Sequence, residues 1–222
     1  MKNLHNLVTH MWYDIFKRVI DIIGSVLLGI IFFPFCLVTA IAIKLDSPGP
    51  VFADTPNRVG KHGRLFKLFK FRSMVVNAHE MLRHDPKMAR LYKQYRQNSY
   101  KLMDDPRVTK VGHIIRKHSV DEIPQLLNVF RGEMSLVGPR PYYPDELVEQ
   151  QKKYPHTKKL VKIVLSAKPG VTGYWQVSGR SEVNFDKRIQ MDADYVLKRS
   201  LFLDIYILLK SPWAMISGKG AV

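Results

Sequence analysis

Two adjacent acidic residues, Asp121 and Glu122, are the pair best suited to do chemistry in this sequence. In such a pair one carboxylate can act as a nucleophile or metal ligand while the other handles a proton. Helix capping is the alternative, because Ser119 and Glu122 have the spacing of a capping box. Pro124 weakens that alternative, since it would fall where the helix already needs a backbone amide. By itself the pair is a weak signal for catalysis.

Cations in or beside glycine- and proline-rich segments accompany the acidic pair. Arginines held on such loops suit bidentate contacts to phosphate. Acids and arginines gathered around a phosphate usually also require Mg²⁺, which offsets repulsion between a carboxylate and the substrate anion. The cations concerned are Arg116, Lys117, Arg131, Arg140, Lys168 and Arg180. No Walker loop, Rossmann glycine pattern, zinc-ligand spacing or nucleophile elbow is present, so other common catalytic motifs are excluded.

The overall charge also indicates an anionic partner. The 222 residues include 35 Lys and Arg against 19 Asp and Glu, a formal charge of +16. Nucleic acid, acidic lipid or a phosphorylated substrate would each be attracted. We expect no nucleic-acid binding, because the arginines gather around acids that would repel it. A basic surface module and a structural anchor for glycan assembly are the competing non-enzyme interpretations. The single cysteine, Cys36, excludes a disulfide within the chain and fits a reducing, cytosol-facing environment.

An uncharged apolar run at residues 22–43 is long enough to cross a bilayer. Pro34 lies near its middle, where a proline disrupts a helix. Basic residues flank the run on both sides, whereas a spanning helix should carry its positive charge mainly on one side. These features suit a re-entrant hairpin, although the residues alone leave a spanning helix open. Lys17 and Arg18 are predicted to anchor the segment at lipid headgroups.

The breaker residues that follow the apolar run divide the chain into two parts. We predict an interfacial and re-entrant membrane helix at residues 1–46 and a cytosolic catalytic domain at residues 47–222. Short strands at residues 51–53 and 65–71, joined through two glycines, predict a small β-hairpin beside the membrane. The fold class is therefore α+β and mostly helical.

The remaining segments are mainly helical in pattern. Residues 77–103 form a polar stretch interrupted at Asp85-Pro86, which we interpret as an exposed helical insertion. Residues 145–165 read as helix broken near Pro155, between loops predicted at residues 135–144 and 168–180. Residues 185–216 form amphipathic helices that suit either the membrane interface or the core.

Several motifs together closely resemble the bacterial sugar transferase family, the monotopic phosphoglycosyl transferases. They are the Lys-Phe-Arg-Ser-Met segment at residues 70–74, the long run at residues 119–141, and residues 168–173 with 176–180. The resemblance covers nearly the whole chain from residue 16 to about residue 209. Its central run is far more specific than a short pattern match.

The resemblance implies a re-entrant membrane helix and a two-step reaction. Asp121 would attack the sugar-bearing phosphate of a UDP-sugar and release UMP, and the phosphosugar would then pass to undecaprenyl phosphate. Glu122 would assist as a base toward the lipid phosphate or within the Mg²⁺ site, for which Asp121 and Glu122 are the expected ligands. The expected substrate phosphate-binding residues are Arg116, Arg140, Arg180, Lys70 and Arg72.

Two departures from the family pattern concern individual side chains. The family often has Ser-Pro at the membrane bend, and this chain has Phe33-Pro34, which leaves the exact bend open. Pro56 stands where the family often has Gln or His, two residues before Arg58. Any role of that side chain is therefore missing.

The insertion and residues 175–180 resemble the branch of undecaprenyl-phosphate galactose phosphotransferases. Those proteins usually carry further N-terminal transmembrane helices and a middle domain, so this chain is expected to be a minimal form or a catalytic fragment. Galactose is favoured as the sugar, while glucose or an N-acetylated amino sugar stays open. The implied location is the cytoplasmic face of the inner membrane, where surface polysaccharide assembly begins. The oligomeric state is not fixed, and a homodimer stays open.

Overall fold

The structure is a computed structural model that describes residues 2–97, 100, 102, 104–178 and 184–217. Helices dominate the described part, and the strands are short. The helices are α1 (Lys2–Asp46), α2 (Ala78–His84), α3 (Ala89–Gln97), α4 (Lys110–Lys117), α5 (Gln125–Arg131), α6 (Pro144–Lys153), α7 (Lys158–Val164), α8 (Tyr174–Ser178), α9 (Phe185–Lys198) and α10 (Leu201–Ser217). The strands are β1 (Arg58–Val59), β2 (Leu65–Phe66), β3 (Ser135–Val137) and β4 (Gly170–Thr172). The mostly helical α+β class is confirmed.

Helix α1 is the long apolar element that the sequence predicts. Its segment Trp12–Asp46 is long and apolar enough to cross a membrane. The hydrogen-bonded helix continues through Pro34, so its secondary structure is not interrupted there. An inner face packs on the rest of the protein at intervals of three or four residues, as one side of a helix must, and consists of Asp21, Ser25, Leu28, Cys36, Thr39 and Ile43. The outer face exposes large apolar side chains, among them Ile23, Leu27, Ile30, Phe33, Val38 and Ile41.

Polar contacts dock the start of the apolar run against the folded domain. Asp21 accepts hydrogen bonds from the Ser135 hydroxyl and the Leu136 amide of β3, at 3.0 and 2.9 Å. The Arg18 guanidinium donates to the Val129 and Phe130 carbonyls at the end of α5, at 2.7 and 2.8 Å. The Val129 carbonyl also accepts from the Gly132 amide that caps this helix, and a cation beside carbonyls at a helix C-terminus stabilises that end.

The end of the apolar run is docked in the same way. The Arg72 guanidinium donates to the Pro48 and Ser47 carbonyls at the C-terminus of α1, at 2.6 and 2.8 Å. Asp46 accepts from the Val111 amide of α4 at 3.2 Å. Both ends of the apolar run of α1 therefore lie against one and the same folded domain.

The β-hairpin is present, with strand bounds that differ from the prediction. Strands β1 and β2 pair antiparallel, so the segment predicted to be the turn contributes a strand of its own. Farther from the turn, Phe52 pairs with Phe71 in an isolated bridge. The shorter connection arises because Gly60 and Gly63 permit a tight turn, in which Gly63 has a positive φ of 78°.

A second, parallel pair formed by β3 and β4 was not predicted, since both segments were interpreted as loops. Their glycines serve close packing of two backbones. A Cβ on Gly138 would lie 2.5 Å from the Lys168 carbonyl oxygen and 2.7 Å from the Gly170 nitrogen. The loop prediction was wrong because close backbone approach and turn formation favour the same residue type.

The insertion forms α2 and α3 with the break at Asp85, whose side chain caps the intervening 3₁₀ turn. Its outer side is exposed, as predicted, but Leu82 is buried beneath it. Arg83 pairs with Asp145 at 2.7 Å and Arg96 with Glu149 at 2.6 Å, so the insertion is held on α6. It is therefore a wall of the domain as well as an exposed element.

The two C-terminal helices differ in burial. Helix α9 belongs to the core, with Phe185, Ile189 and Ala193 all fully buried. Helix α10 buries Ile207 but leaves Phe202, Leu209 and Trp213 largely exposed. The core interpretation therefore applies to α9, and the amphipathic pattern predicted for the interface applies to α10.

Candidate active site

Asp121 and Glu122 lie in a 3₁₀ turn, Val120–Glu122, that precedes α5 rather than beginning it. Ser119 enters this turn in the left-handed region, with φ of 55°, and its side chain makes no capping hydrogen bond. The capping-box alternative is therefore wrong. A non-glycine residue in this region stores backbone strain, which accumulates at functional sites.

The Lys-Phe-Arg-Ser-Met segment at residues 70–74 contacts this turn through both its backbone and a side chain. The Phe71 amide donates to the Asp121 carbonyl at 2.9 Å. The Lys70 ammonium lies 2.7 Å from Oδ2 of Asp121 and 3.7 Å from Oε1 of Glu122. The Asp121 side chain is only 3% exposed, whereas that of Glu122 is 33% exposed. The two carboxylates thus have distinct environments, which allows them different roles.

A cleft of about 280 Å³ opens over the acidic pair, and we call it the acid-pair cleft. It brings together the predicted catalytic and phosphate-binding residues within the described part of the chain, namely Lys70, Arg72, Arg116, Asp121, Glu122 and Arg140. Arg180 lies outside the described residues. Basic side chains around two carboxylates suit a phosphorylated substrate, because cations bind the phosphate that a carboxylate alone would repel.

Some of the predicted cations have other partners. Arg72 lines the cleft, but its guanidinium holds the carbonyls at the end of α1, because that helix end needs donors. Arg131 lies over the Phe69 ring, 4.7 Å from its centre. Lys17, predicted to meet lipid headgroups, pairs with the buried Asp204 of α10 at 2.8 Å, and Arg18 caps α5. The structure therefore places Lys17 and Arg18 on protein partners that sequence spacing does not reveal.

Arg140 is positioned by a buried carboxylate on α9. Asp192 accepts hydrogen bonds from the Arg140 amide at 3.1 Å and the Tyr142 hydroxyl at 2.9 Å. Burial raises the pKa of Asp192 to about 7, despite these two donors. The Arg140 guanidinium lies over the Trp175 ring, 5.4 Å from its centre. The loop is thus fixed from both sides, which leaves little freedom to the arginine at the cleft.

Two further residues of the site were missed by the sequence analysis. Arg58 stacks on the Tyr143 ring, 3.3 Å from its centre, and donates to the Pro141 carbonyl at 3.2 Å. Asn128 is fully buried; its amide accepts from the Phe69 amide and donates to the Lys67 carbonyl and to Glu133. A buried polar residue on the apolar side of α5 is a signal that could have identified Asn128.

The comparisons with known proteins now bear on this geometry. Residues 12–218 match the family model described as bacterial sugar transferase. The chain belongs to the bacterial sugar transferase family. The match thus covers α1 from residue 12 onward, the acid-pair cleft and all of α10.

Three relatives within this family are informative. An undecaprenyl-phosphate galactose phosphotransferase of Salmonella typhimurium is 42% identical over 209 residues, and a UDP-galactose-lipid carrier transferase of Erwinia amylovora is 41% identical over 205. Each match covers 92% of this chain but only 41% of the relative. An exopolysaccharide production protein of Sinorhizobium fredii is 39% identical over 206 residues, covering 92% of this chain and 87% of that protein. The chain thus spans less than half of the first two relatives and most of the third.

Residues of the insertion also line the acid-pair cleft. His79, Tyr95 and Tyr100 line the cleft, and Tyr95 and Tyr100 have ring centres 5.2 Å apart. Burial, together with the nearby Arg107 and Arg58, lowers the pKa of His79 to about 4, so this histidine is neutral near pH 7. The positive charge at this end of the cleft therefore comes from Arg58 and Arg107, which also line it, and not from His79.

The Mg²⁺ that the family resemblance implies fits the donor set here. The described residues contain no cluster of three or more His, Cys, Asp and Glu that could hold a metal by itself. Mg²⁺ is commonly held by one or two carboxylates together with substrate phosphates, and it needs no complete protein cage. The partly exposed Glu122 and the Asp121 oxygen not adjacent to Lys70 could provide such a pair.

Proposed function

We propose that the chain transfers a sugar 1-phosphate from a UDP-sugar to undecaprenyl phosphate and releases UMP. One observation carries the proposal: a buried aspartate, ion-paired to Lys70, lies in a cleft lined by Arg116 and Arg140. The names of the Salmonella and Erwinia relatives support the lipid carrier and the galactose donor. Each of these relatives matches 92% of this chain.

In the first step, a carboxylate oxygen of Asp121 attacks the sugar-bearing phosphorus of the UDP-sugar. A bond forms between that oxygen and phosphorus, and the bond from phosphorus to the bridging oxygen breaks, so that UMP leaves. The Lys70 ammonium reduces the repulsion between the carboxylate and the substrate phosphates. Arg140, Arg116 and Arg180 are proposed to bind the phosphate oxygens.

In the second step, an oxygen of undecaprenyl phosphate attacks the same phosphorus and displaces the Asp121 carboxylate. The products are the lipid-linked diphosphate sugar and free enzyme. Glu122, which is more exposed than Asp121, is proposed to accept a proton from the lipid phosphate. When bound, Mg²⁺ would neutralise charge that develops on the phosphates.

We infer further that α1 enters the membrane and returns to the same face. Two observations support this: both ends of the apolar run are docked on one domain, and the outer face of α1 is apolar. A domain cannot lie on both sides of a bilayer, so the ends belong to one face, proposed to be the cytoplasmic face of the inner membrane. Tags at the two termini should both be accessible only from the cytoplasm. A periplasmic N-terminus with a cytoplasmic C-terminus would exclude the hairpin.

Galactose 1-phosphate is the proposed cargo, which would initiate surface polysaccharide assembly. The alternatives are glucose and an N-acetylated amino sugar on the same reaction. The test incubates the purified chain with UDP-galactose, UDP-glucose and UDP-N-acetylated sugars, with and without undecaprenyl phosphate, and measures UMP. We expect sustained UMP release only with the lipid and fastest with UDP-galactose. No lipid-dependent UMP from any donor would contradict the reaction, and a faster rival donor would correct only the sugar.

A further inference from the structure

A second cleft, of about 210 Å³, lies where the apolar run of α1 begins, and we call it the basal cleft. Its walls are α1, Lys61 of the hairpin turn, strand β3, Lys168 before β4, and Arg199 after α9. It shares no lining residue with the acid-pair cleft. Lys168, which the sequence grouped with the acidic pair, lies in the basal cleft and does not line the acid-pair cleft, so the basal cleft is a separate site that the proposed transfer reaction does not use.

The basal cleft has an excess of positive charge. Five cations line it, Lys17, Arg18, Lys61, Lys168 and Arg199, against the two acids Asp14 and Asp21. The acids already have partners, because Asp14 lies 3.5 Å from Arg199 and Asp21 accepts from β3. Lys17 and Arg18 are likewise engaged, with Asp204 and with carbonyls.

Lys61 and Lys168 are the two remaining cations of the basal cleft. Neither forms an ion pair with a carboxylate in the described part of the chain. A Cβ on Gly132 would lie 3.3 Å from the Arg18 guanidinium and 3.5 Å from the Lys168 ammonium, so these two cations approach the same point. Burial lowers the pKa of Lys168; Arg18 and Lys61 act in the same direction, while Asp21 and Asp14 oppose them. Like charges held this close call for an anion between them.

The surroundings of the cleft indicate which kind of anion. Around Lys17 and Arg18, the α1 side chains Phe16, Val19 and Ile20 are exposed. On the neighbouring helix α10, Phe202 and Ile205 are exposed close to Asp204, the partner of Lys17. A phosphate in the cleft would therefore have apolar surface beside it for attached acyl chains, which a free phosphate does not need.

We propose that the basal cleft binds the phosphate of an anionic phospholipid headgroup through Lys61 and Lys168, with Arg199, the partner of Asp14, beside them. The bound lipid would fix the base of α1 relative to the membrane surface. It is distinct from the lipid acceptor, whose phosphate must reach Asp121 in the other cleft. Charge attraction and apolar burial act together at such a site.

The test uses the full chain in a neutral detergent, titrated with dihexanoyl phosphatidylglycerol, dihexanoyl phosphatidylcholine or inorganic phosphate. The double variant Lys61→Gln with Lys168→Gln is compared with Lys158→Gln and Lys159→Gln, two exposed lysines at the start of α7. The readout is the thermal unfolding midpoint. At about ten times the dissociation constant, phosphatidylglycerol should raise the midpoint of the wild type and of the α7 control by about 3–5 °C.

The basal-cleft variant should lose most of that shift while it releases UMP from UDP-sugar at the wild-type rate. Equal shifts with phosphatidylcholine, or an undiminished shift in the basal-cleft variant, would overturn the site. A shift with inorganic phosphate as large as that with the lipid would overturn the lipid as its occupant. The UMP measurement keeps this result separate from any failure of the proposed transfer reaction.

Discussion

The two clefts of this protein both collect basic side chains, but they differ in what faces those cations. In the acid-pair cleft, Lys70 lies 2.7 Å from the buried Asp121, on a turn whose backbone is fixed by Phe71. In the basal cleft, Lys61 and Lys168 have no carboxylate partner in the described part of the chain. Positive charge and a buried carboxylate are thus common to both clefts, but Asp21 of the basal cleft accepts hydrogen bonds from β3, whereas Asp121 is paired with a lysine.

This difference shows why net charge alone does not identify a catalytic site. A cleft of unpaired cations can bind a phosphate, but without a nucleophile it cannot break a bond to phosphorus. A paired carboxylate on a fixed turn can do so, because its position is set before the substrate arrives. If the transfer reaction belongs to the acid-pair cleft and lipid binding to the basal cleft, substitutions in the two clefts should have separate effects.

The largest effect is expected from Asp121→Asn, which removes the charge of the proposed nucleophile and keeps the size and shape of the side chain. We expect lipid-dependent UMP release to fall at least about 1,000-fold with folding unchanged. The matched control is Asp54→Asn, because Asp54 lines the same cleft but is 90% exposed. The control should retain activity within about twofold. Similar losses in both variants would show that charge alone matters in this cleft.

A smaller loss is expected from Lys70→Gln, which removes the cation that faces the acidic pair. We expect kcat/KM to fall about 100-fold, since a preorganised charge beside the reacting phosphate is lost. Lys67→Gln is the control, because the Lys67–Asp54 pair is exposed and should contribute little. If Lys70→Gln behaved like its control, Lys70 would be no more catalytic than the lysines of the basal cleft.

The buried support of the acid-pair cleft can be tested through Asn128→Ala. This change leaves the Phe69 amide and the Lys67 carbonyl without their side-chain partner. We expect a loss of about 2–4 kcal/mol in unfolding free energy, measured by chemical denaturation in detergent. Gln190→Ala, which removes an exposed pair with Asp194, should cost less than about 0.5 kcal/mol. Equal stabilities would mean that the segment below Asp121 is not held by Asn128.

The sequence indicated which side chains share the acid-pair cleft better than it indicated which contacts support them. The acidic pair, Lys70, Arg116 and Arg140 lie in one cleft as expected. The partners of Lys17, Arg18 and Arg72 are helix carbonyls and a carboxylate far away in the chain, which no local pattern encodes.

In the fold, too, local elements were predicted better than contacts between segments far apart in the chain. The helices of the insertion and their break at Asp85 follow from local pattern and proline and were predicted correctly, whereas α8 lies in a segment predicted to be a loop. The parallel pair β3–β4 depends on two segments meeting across 30 or more residues, and their glycines were interpreted as turn residues. Gly138 is required there because another backbone lies against it.

The smallest expected effects are two opposite pH dependences at the walls of the acid-pair cleft. Asp192 has a raised pKa, about 7, so its contribution to stability is full below pH 4 and is lost as the pH rises toward 7. His79 has a lowered pKa, about 4, so its burial reduces stability as the pH falls from 6.5 to 4.

These signs lead to opposite changes in the variants. The melting temperature of Asp192→Asn minus that of wild type should increase as the pH rises from 4 to 7. The same difference for His79→Gln should decrease as the pH rises from 4 to 6.5. The basal-cleft variant Lys61→Gln with Lys168→Gln should show neither change. Parallel slopes in the Asp192 and His79 variants would contradict the opposite shifts.

The central claim is that Asp121 carries the phosphosugar between the two substrates. It is tested most directly by incubating the chain with UDP-galactose and Mg²⁺ without lipid, then measuring UMP and the mass of the peptide containing Asp121. The account predicts close to one UMP per enzyme and a peptide heavier by one hexosyl phosphate group, which disappears when undecaprenyl phosphate is added and never forms in Asp121→Asn. Full lipid-dependent turnover without such an adduct, or an adduct on another residue, would contradict it.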